Sequence, residues 1–165
     1  KVQFTPADVK FMQGMIGHHA QAVEMTALIP SRSQNQYMKM LGQRIDVSQE
    51  DEMNMMRKWL EVRGQVIPGP HAHHEPGGMM PGMLTADDLA SLEAASGRDF
   101  DELFLLYMIR HHEGAMMMVA ELLSSDDGGQ ESEVFGLAQH IDSDQKIEIA
   151  RMKSLLAEIA ATPGS

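Results

Sequence analysis

Phe11-Met12-Gln13-Gly14-Met15-Ile16-Gly17-His18-His19-Ala20-Gln21-Ala22-Val23-Glu24-Met25 is a stretch that the chain states twice. The second statement is Phe104-Leu105-Leu106-Tyr107-Met108-Ile109-Arg110-His111-His112-Glu113-Gly114-Ala115-Met116-Met117-Met118. At a constant offset of 93, Phe11, Met15, Ile16, His18, His19, Ala22 and Met25 meet identical residues. Residues three, four and seven apart share one face of a helix. Met15, His18, Ala22 and Met25 therefore fall in a stripe about 80° wide, as do Met108, His111, Ala115 and Met118. His19 and His112 stand about 100° away on the flank. Met12 and Met15 lie near His19, and Met108 and Met116 lie one turn before and after His112.

A second pattern recurs downstream of each copy. Leu41, Gln43, Ile45, Asp46, Gln49, Glu52, Met56 and Leu60 return as Leu137, Gln139, Ile141, Asp142, Gln145, Glu148, Met152 and Leu156, now at an offset of 96. The change of offset falls between the two patterns, in a loop, so the repeating unit is a helical hairpin. Thr5-Pro6 opens the first helix, with Thr5 as N-cap and Asp8 favourable to the helix dipole. The helix is expected to run to about Leu28, where Ile29-Pro30 ends it. After Asn35 or Ser33 a second helix spans about Gln36 to Val62, with Gly64 closing it. A short helix capped by Thr85 and Asp88 reaches about Ala95. The third long helix starts at Asp99 or Phe100 and reaches about Leu123, and the fourth runs from about Glu131 to Ile159.

Between the hairpins, Pro68, Gly69, Pro70, Pro76, Gly77, Gly78, Pro81 and Gly82 forbid a long helix or a central strand. No period-two alternation argues for strands anywhere. The expectation is an all-α, ferritin-like four-helix bundle forming a single domain over residues 1–165. Repeat one covers about 5–63, the crossover about 64–99 with its short extra helix, and repeat two about 100–160.

Composition narrows the chemistry. The 165 residues carry 24 acids against 13 bases, a net charge of −11, which argues against nucleic acid as a partner. With no cysteine, disulfides, thiolate metal sites and cysteine nucleophiles are excluded together. No apolar run approaches the ~20 residues that span a bilayer. The first residue is Lys1 rather than methionine, which suggests removal of an export signal and hence a periplasmic or secreted protein. The chain holds 16 methionines and 8 histidines against 5 phenylalanines. Methionine fills irregular cores, and its thioether is also a soft ligand for monovalent copper.

Among metals, copper fits the donors best. Zinc sites want several histidines, cysteines or carboxylates in a tetrahedral array. Di-iron bundles use Glu-x-x-His, which does not occur here, and calcium and magnesium want oxygen arrays. Imidazole with thioether suits copper, Cu(I) through methionine and Cu(II) through histidine. The crossover adds a second group of the same donors, His71, His73 and His74 with Met79, Met80 and Met83.

The pattern Met-Ile-x-His-His-x-x-Ala-x-x-Met, at 15–25 and 108–118, resembles the bacterial family called domain of unknown function 305. Gln49-x-x-Glu52 and Gln145-x-x-Glu148 resemble it too, so the likeness covers nearly the whole chain. The resemblance implies a ferritin-like four-helix bundle, usually exported, with some copper-binding periplasmic members. It makes Met15, His18, His19, Met25, Met108, His111, His112 and Met118 the expected metal-binding positions. The functional expectation is a non-enzymatic copper-binding protein of the cell envelope, acting in storage, buffering or resistance. Its partners would be metal ions, with a second copy of the chain or a copper-exchange protein as macromolecular candidates. A metal-dependent oxidase and a helical interaction module with Met-rich faces are the two alternatives.

Overall fold

A computed structural model describes residues 2–163, so Lys1, on which the expectation of a removed signal rests, and Gly164 and Ser165 of the tail lie outside it. The described residues are helical, with no strand among them. Helix α1 spans Pro6–Thr26 and opens with a reciprocal capping box: the Asp8 amide donates to the Thr5 hydroxyl and the Thr5 amide to the Asp8 carboxylate. It ends two residues before the expected boundary. Pro30 then does more than break it, because a one-turn helix α2 (Ile29–Arg32) carries this proline in its first turn. The missing N–H costs nothing there.

Helix α3 (Gln36–Val62) is capped by the Asn35 side chain, which accepts from the Tyr37 and Met38 amides. It closes into Gly64, whose φ of +66° is the left-handed conformation that glycine adopts freely. The crossover contains a single 3-10 turn, Ala72–His74, before α4 (Ala86–Ala94), which has its own box between Thr85 and Asp88. Helix α5 (Gly97–Ser124) starts two residues earlier than Asp99. Helix α6 (Ser132–Ala161) is capped by Glu131.

Residue pairs along the four long helices give their directions. Phe4 meets Trp59, His19 meets Glu52 and Thr26 meets Asp46, so α1 and α3 are antiparallel. Helices α5 and α6 are antiparallel as well, with Arg98 bonded to the Ala160 and Thr162 carbonyls and His112 to Glu148. His18 on His111 and Met118 over Gly14 bring α1 and α5 together. Ser48 with Glu148 and Trp59 with Glu131 do the same for α3 and α6. Helices α3 and α5 therefore point the same way, and the crossover must run the length of the molecule to join them.

The apolar interior is divided in two. One cluster gathers Met25, Ile29, Met38, Leu41, Ile45, Phe100, Phe104, Met108 and Met152. The other gathers Phe11, Met12, Met15, Met53, Met56, Trp59, Val134 and Ile141. On all four long helices the residues that fall between the clusters are polar: His18 and His19, Gln49 and Glu52, His111 and His112, Gln145 and Glu148. All eight are buried, none more than 3% exposed. A polar belt through the middle of a core costs free energy unless its groups bond one another, so its internal pairing decides what it can do.

Candidate metal centre

Two imidazole–carboxylate pairs span the hairpins of the belt. His19 Nε2 lies 2.5 Å from Glu52 Oε1, and His112 Nε2 lies 2.5 Å from Glu148 Oε1. These are equivalent positions of the two repeats. Each pair ties a helix carrying a histidine motif to the helix that follows it. The other two histidines meet across the repeats: the rings of His18 and His111 stack with centroids 3.8 Å apart.

Burial governs the charge of this belt. It lowers His18 to about 4, an effect only partly opposed by the bond to the Pro81 carbonyl and reinforced by His112. Burial, then the neighbouring histidines, also holds His19 and His111 well below the ordinary value. Glu52 is pushed up to about 9, first by burial and then by the Asp144 carboxyl beside it. His19 and Glu52 therefore meet as neutral groups, and their contact is a hydrogen bond rather than an ion pair. Neutral imidazole is the form that binds a metal.

The crossover is seated on this belt by backbone contacts. A Cβ on Gly114 would lie 1.9 Å from the Pro81 carbonyl oxygen, and one on Gly82 would lie 2.4 Å from the Arg110 carbonyl oxygen. Only two glycines let the strap come this close. The approach brings the Pro81 carbonyl within 2.9 Å of His18 Nε2, which donates to it. Gln21, the counterpart of Gly114 in the other repeat, fastens the next residues: its amide donates to the Leu84 carbonyl and accepts from the Leu84 amide. His18 is thereby held in one tautomer, with Nδ1 carrying the lone pair.

Beside the strap lies a half-open groove whose walls include Gly14, Gly17, His73, Met79, Met80 and Met118. The Met80 sulfur would be 3.2 Å and the Met118 methyl 3.5 Å from a Cβ on Gly14, so the two thioethers converge over that glycine. Met83 is buried, and its sulfur accepts from the Met80 amide at 3.3 Å. At the groove's edge Glu24 accepts from His73 and, at 2.9 Å, from His74. Donor atoms of Glu24, His71 and His74 lie within 4.8 Å of one another.

The structure thus regroups the residues that the sequence singles out. His18 and His111 come together, whereas His19 and His112 turn to carboxylates. Met12, Met15, Met25 and Met108 are fully buried in the two apolar clusters, and Met116 is half-buried against one of them. Met118 instead joins Met80 at the groove, with Met79 on the same wall and His73 facing in. Sequence reasoning missed Glu24, and it gave Glu52 and Glu148 as repeated positions of the Gln-x-x-Glu pattern without a role at the site. The recurrence of Gln-x-x-Glu on core-facing positions was the available signal, since a carboxylate repeated on a buried face needs a partner there.

The sequence pattern of the family described as "Domain of unknown function (DUF305)" matches residues 8–156. The chain belongs to this DUF305 family. A DUF305 fragment from Deinococcus radiodurans is 33% identical, with a TM-score of 0.82 over 94% of this chain and 98% of that one. A "putative secreted protein DUF305" from Streptomyces coelicolor is 28% identical, with a TM-score of 0.80 over 96% and 97%. CopM in its Cu(I)-bound form is 27% identical, with a TM-score of 0.71 over 94% of this chain and 98% of that one. Its Cu(II)-bound form is 26% identical, with a TM-score of 0.73 over 92% and 96%. The uncharacterized protein L153 of Acanthamoeba polyphaga mimivirus is 36% identical over 56 residues, 34% of this chain and 37% of that one. Among the described residues of this DUF305 chain no helix is long and apolar enough to cross a membrane.

Proposed function

We propose that this protein binds copper in the bacterial cell envelope and serves in copper storage, buffering or resistance rather than in catalysis. The observation that carries the reading is the likeness to CopM, which has been solved with each oxidation state of copper. The donors of this chain support it. Thioethers suit Cu(I) and imidazoles suit Cu(II), and the two donor types adjoin at the groove beside the strap. The outer donors are Met80, Met118, His73 and the Glu24–His71–His74 cluster, with Met79 and Met83 beside them. The inner donors are the histidines and methionines of the two helical motifs, reached when belt side chains turn. The surrounding scaffold is read as a single ferritin-like four-helix bundle that arose by duplication of one hairpin.

Metal-free protein titrated with Cu(I) under reductant, and separately with Cu(II), against competing chelators tests the reading. Stoichiometric binding with sub-micromolar dissociation constants is expected. Absence of binding in both oxidation states would overturn it.

A further inference from the structure

The two buried carboxylates of the belt occupy equivalent positions but have different surroundings. Glu148 has both oxygens bonded, one to His112 at 2.5 Å and the other to the Ser48 hydroxyl at 2.6 Å. Glu52 has only one oxygen bonded, to His19. Its Oε2 is buried with no hydrogen-bond partner, although the residue is fully inaccessible to solvent. The difference comes from the facing helix. Where Ser48 and Arg44 stand in repeat one, repeat two has Asp144 and His140 at an offset of 96.

His140 and Asp144 are one turn apart on α6 and face Glu52 on α3. The donor atoms of the three residues lie within 4.8 Å of one another. His140 Nε2 is 3.5 Å from the orphaned Glu52 Oε2. A tetrahedral zinc ion with bonds of ~2.0–2.1 Å has ligand–ligand edges of about 3.3 Å, close to that separation. His140 and Asp144 line a surface groove between α3 and α6, with the buried Glu52 behind them, so an ion has a way in and a position left for water.

We propose that Glu52, His140 and Asp144 form a divalent-cation site of the zinc type on the α3–α6 seam, separate from the outer copper donors beside the strap. One imidazole and two carboxylates are borderline-to-hard ligands, and none of the three is the thioether that selects Cu(I). The ion would replace the missing partner of Glu52 and separate the acids of Glu52 and Asp144, which otherwise face each other. His19, bonded to the other oxygen of Glu52, orients the carboxylate from behind, the role that outer hydrogen bonds play at metal sites. The site exists in one repeat only, because Ser48 and Arg44 offer no imidazole and no carboxylate at the equivalent place.

Metal-free protein is titrated with Co2+, read by its visible d–d absorption, and then challenged with Zn2+. One Co2+ per chain is expected to bind and to be displaced by Zn2+, and H140A/D144N should weaken Co2+ binding at least a hundredfold. His140 is 54% exposed and Asp144 half-buried, so the variant should keep the wild-type circular dichroism and Cu(I) affinity. Absence of stoichiometric Co2+ binding by the wild type, or binding that persists in the folded double variant, overturns the proposal. Loss of Cu(I) together with Co2+ in that variant overturns the separateness of the site.

Discussion

The imidazoles of His18 and His111 lie face to face between α1 and α5, ring centroids 3.8 Å apart and planes tilted by 36°. Ring nitrogens donate and coordinate in the plane of the ring, so stacked rings present π faces to each other and aim their lone pairs elsewhere. An ion shared by the two histidines requires one ring to turn. His18 is held by the Pro81 carbonyl, whereas His111 Nε2 is buried with no partner. His111 is therefore the ring that is free to turn.

That asymmetry predicts unequal costs of truncation. H18A leaves a carbonyl of the strap without its donor, a penalty of about 1–3 kcal/mol beyond lost packing. H111A removes a ring whose Nε2 makes no hydrogen bond. Urea unfolding of the metal-free variants should find H18A the less stable by about 1 kcal/mol or more, and equal midpoints would contradict the restraint on His18.

Thioether positions divide by surroundings. M80L/M118L keeps apolar volume at the groove but removes two soft ligands, so Cu(I) affinity should fall at least tenfold while the melting temperature stays nearly constant. In the core of α3, M53L and M56L should cost under about 1.5 kcal/mol each, as volume-conserving swaps do, and leave Cu(I) affinity unchanged. Chelator competition and thermal melts distinguish these outcomes.

The belt sets a pH optimum for the metal-free fold. His18, lowered from 6.5 to about 4, and His19 and His111, lowered well below 6.5, contribute stability that is present above pH 6.5 and is lost as pH falls. Glu52 has the opposite sign. Raised from 4.5 to about 9, it contributes stability that is complete below pH 4.5 and is lost as pH rises toward 9. Three histidines outweigh one acid below pH 6.5, so melting temperatures should crest near there and decline on both sides. The alkaline slope approaches about 1.4 kcal/mol per pH unit, one proton's worth. E52Q, which keeps the neutral hydrogen-bonding shape, should flatten the alkaline limb. An unchanged limb would show that Glu52 is ionised in the fold.

Gly114 is the hinge of the strap's approach. In an exposed helix interior, alanine would gain about 1 kcal/mol over glycine. Here its Cβ would meet the Pro81 carbonyl oxygen at 1.9 Å, so G114A should instead destabilise by roughly 2 kcal/mol or more and lift the strap from His18. Proteolysis within residues 68–83 should accelerate in parallel. A stabilised G114A would mean that the strap moves aside freely.

Local physical chemistry made much of this legible from sequence. The capping residues Thr5, Asn35 and Thr85 and the left-handed Gly64 mark their boundaries because a helix end must satisfy its own amides and carbonyls within a few residues. The recurrence of Met-Ile-x-His-His and Gln-x-x-Glu shows which helix faces point inward, since a residue's face follows from its spacing. Spacing along one helix says nothing about what stands opposite, however. Only packing put His19 on Glu52 and stacked His18 on His111, and only packing sent Met118 to Met80 rather than into the core with Met15. The strap shows the limit most plainly, because Gly82 and Gly114 are 32 residues apart in sequence and each reads alone as a flexible position. Their close approach, and with it the bond that holds His18, depends on four helices already packed around a shared interior.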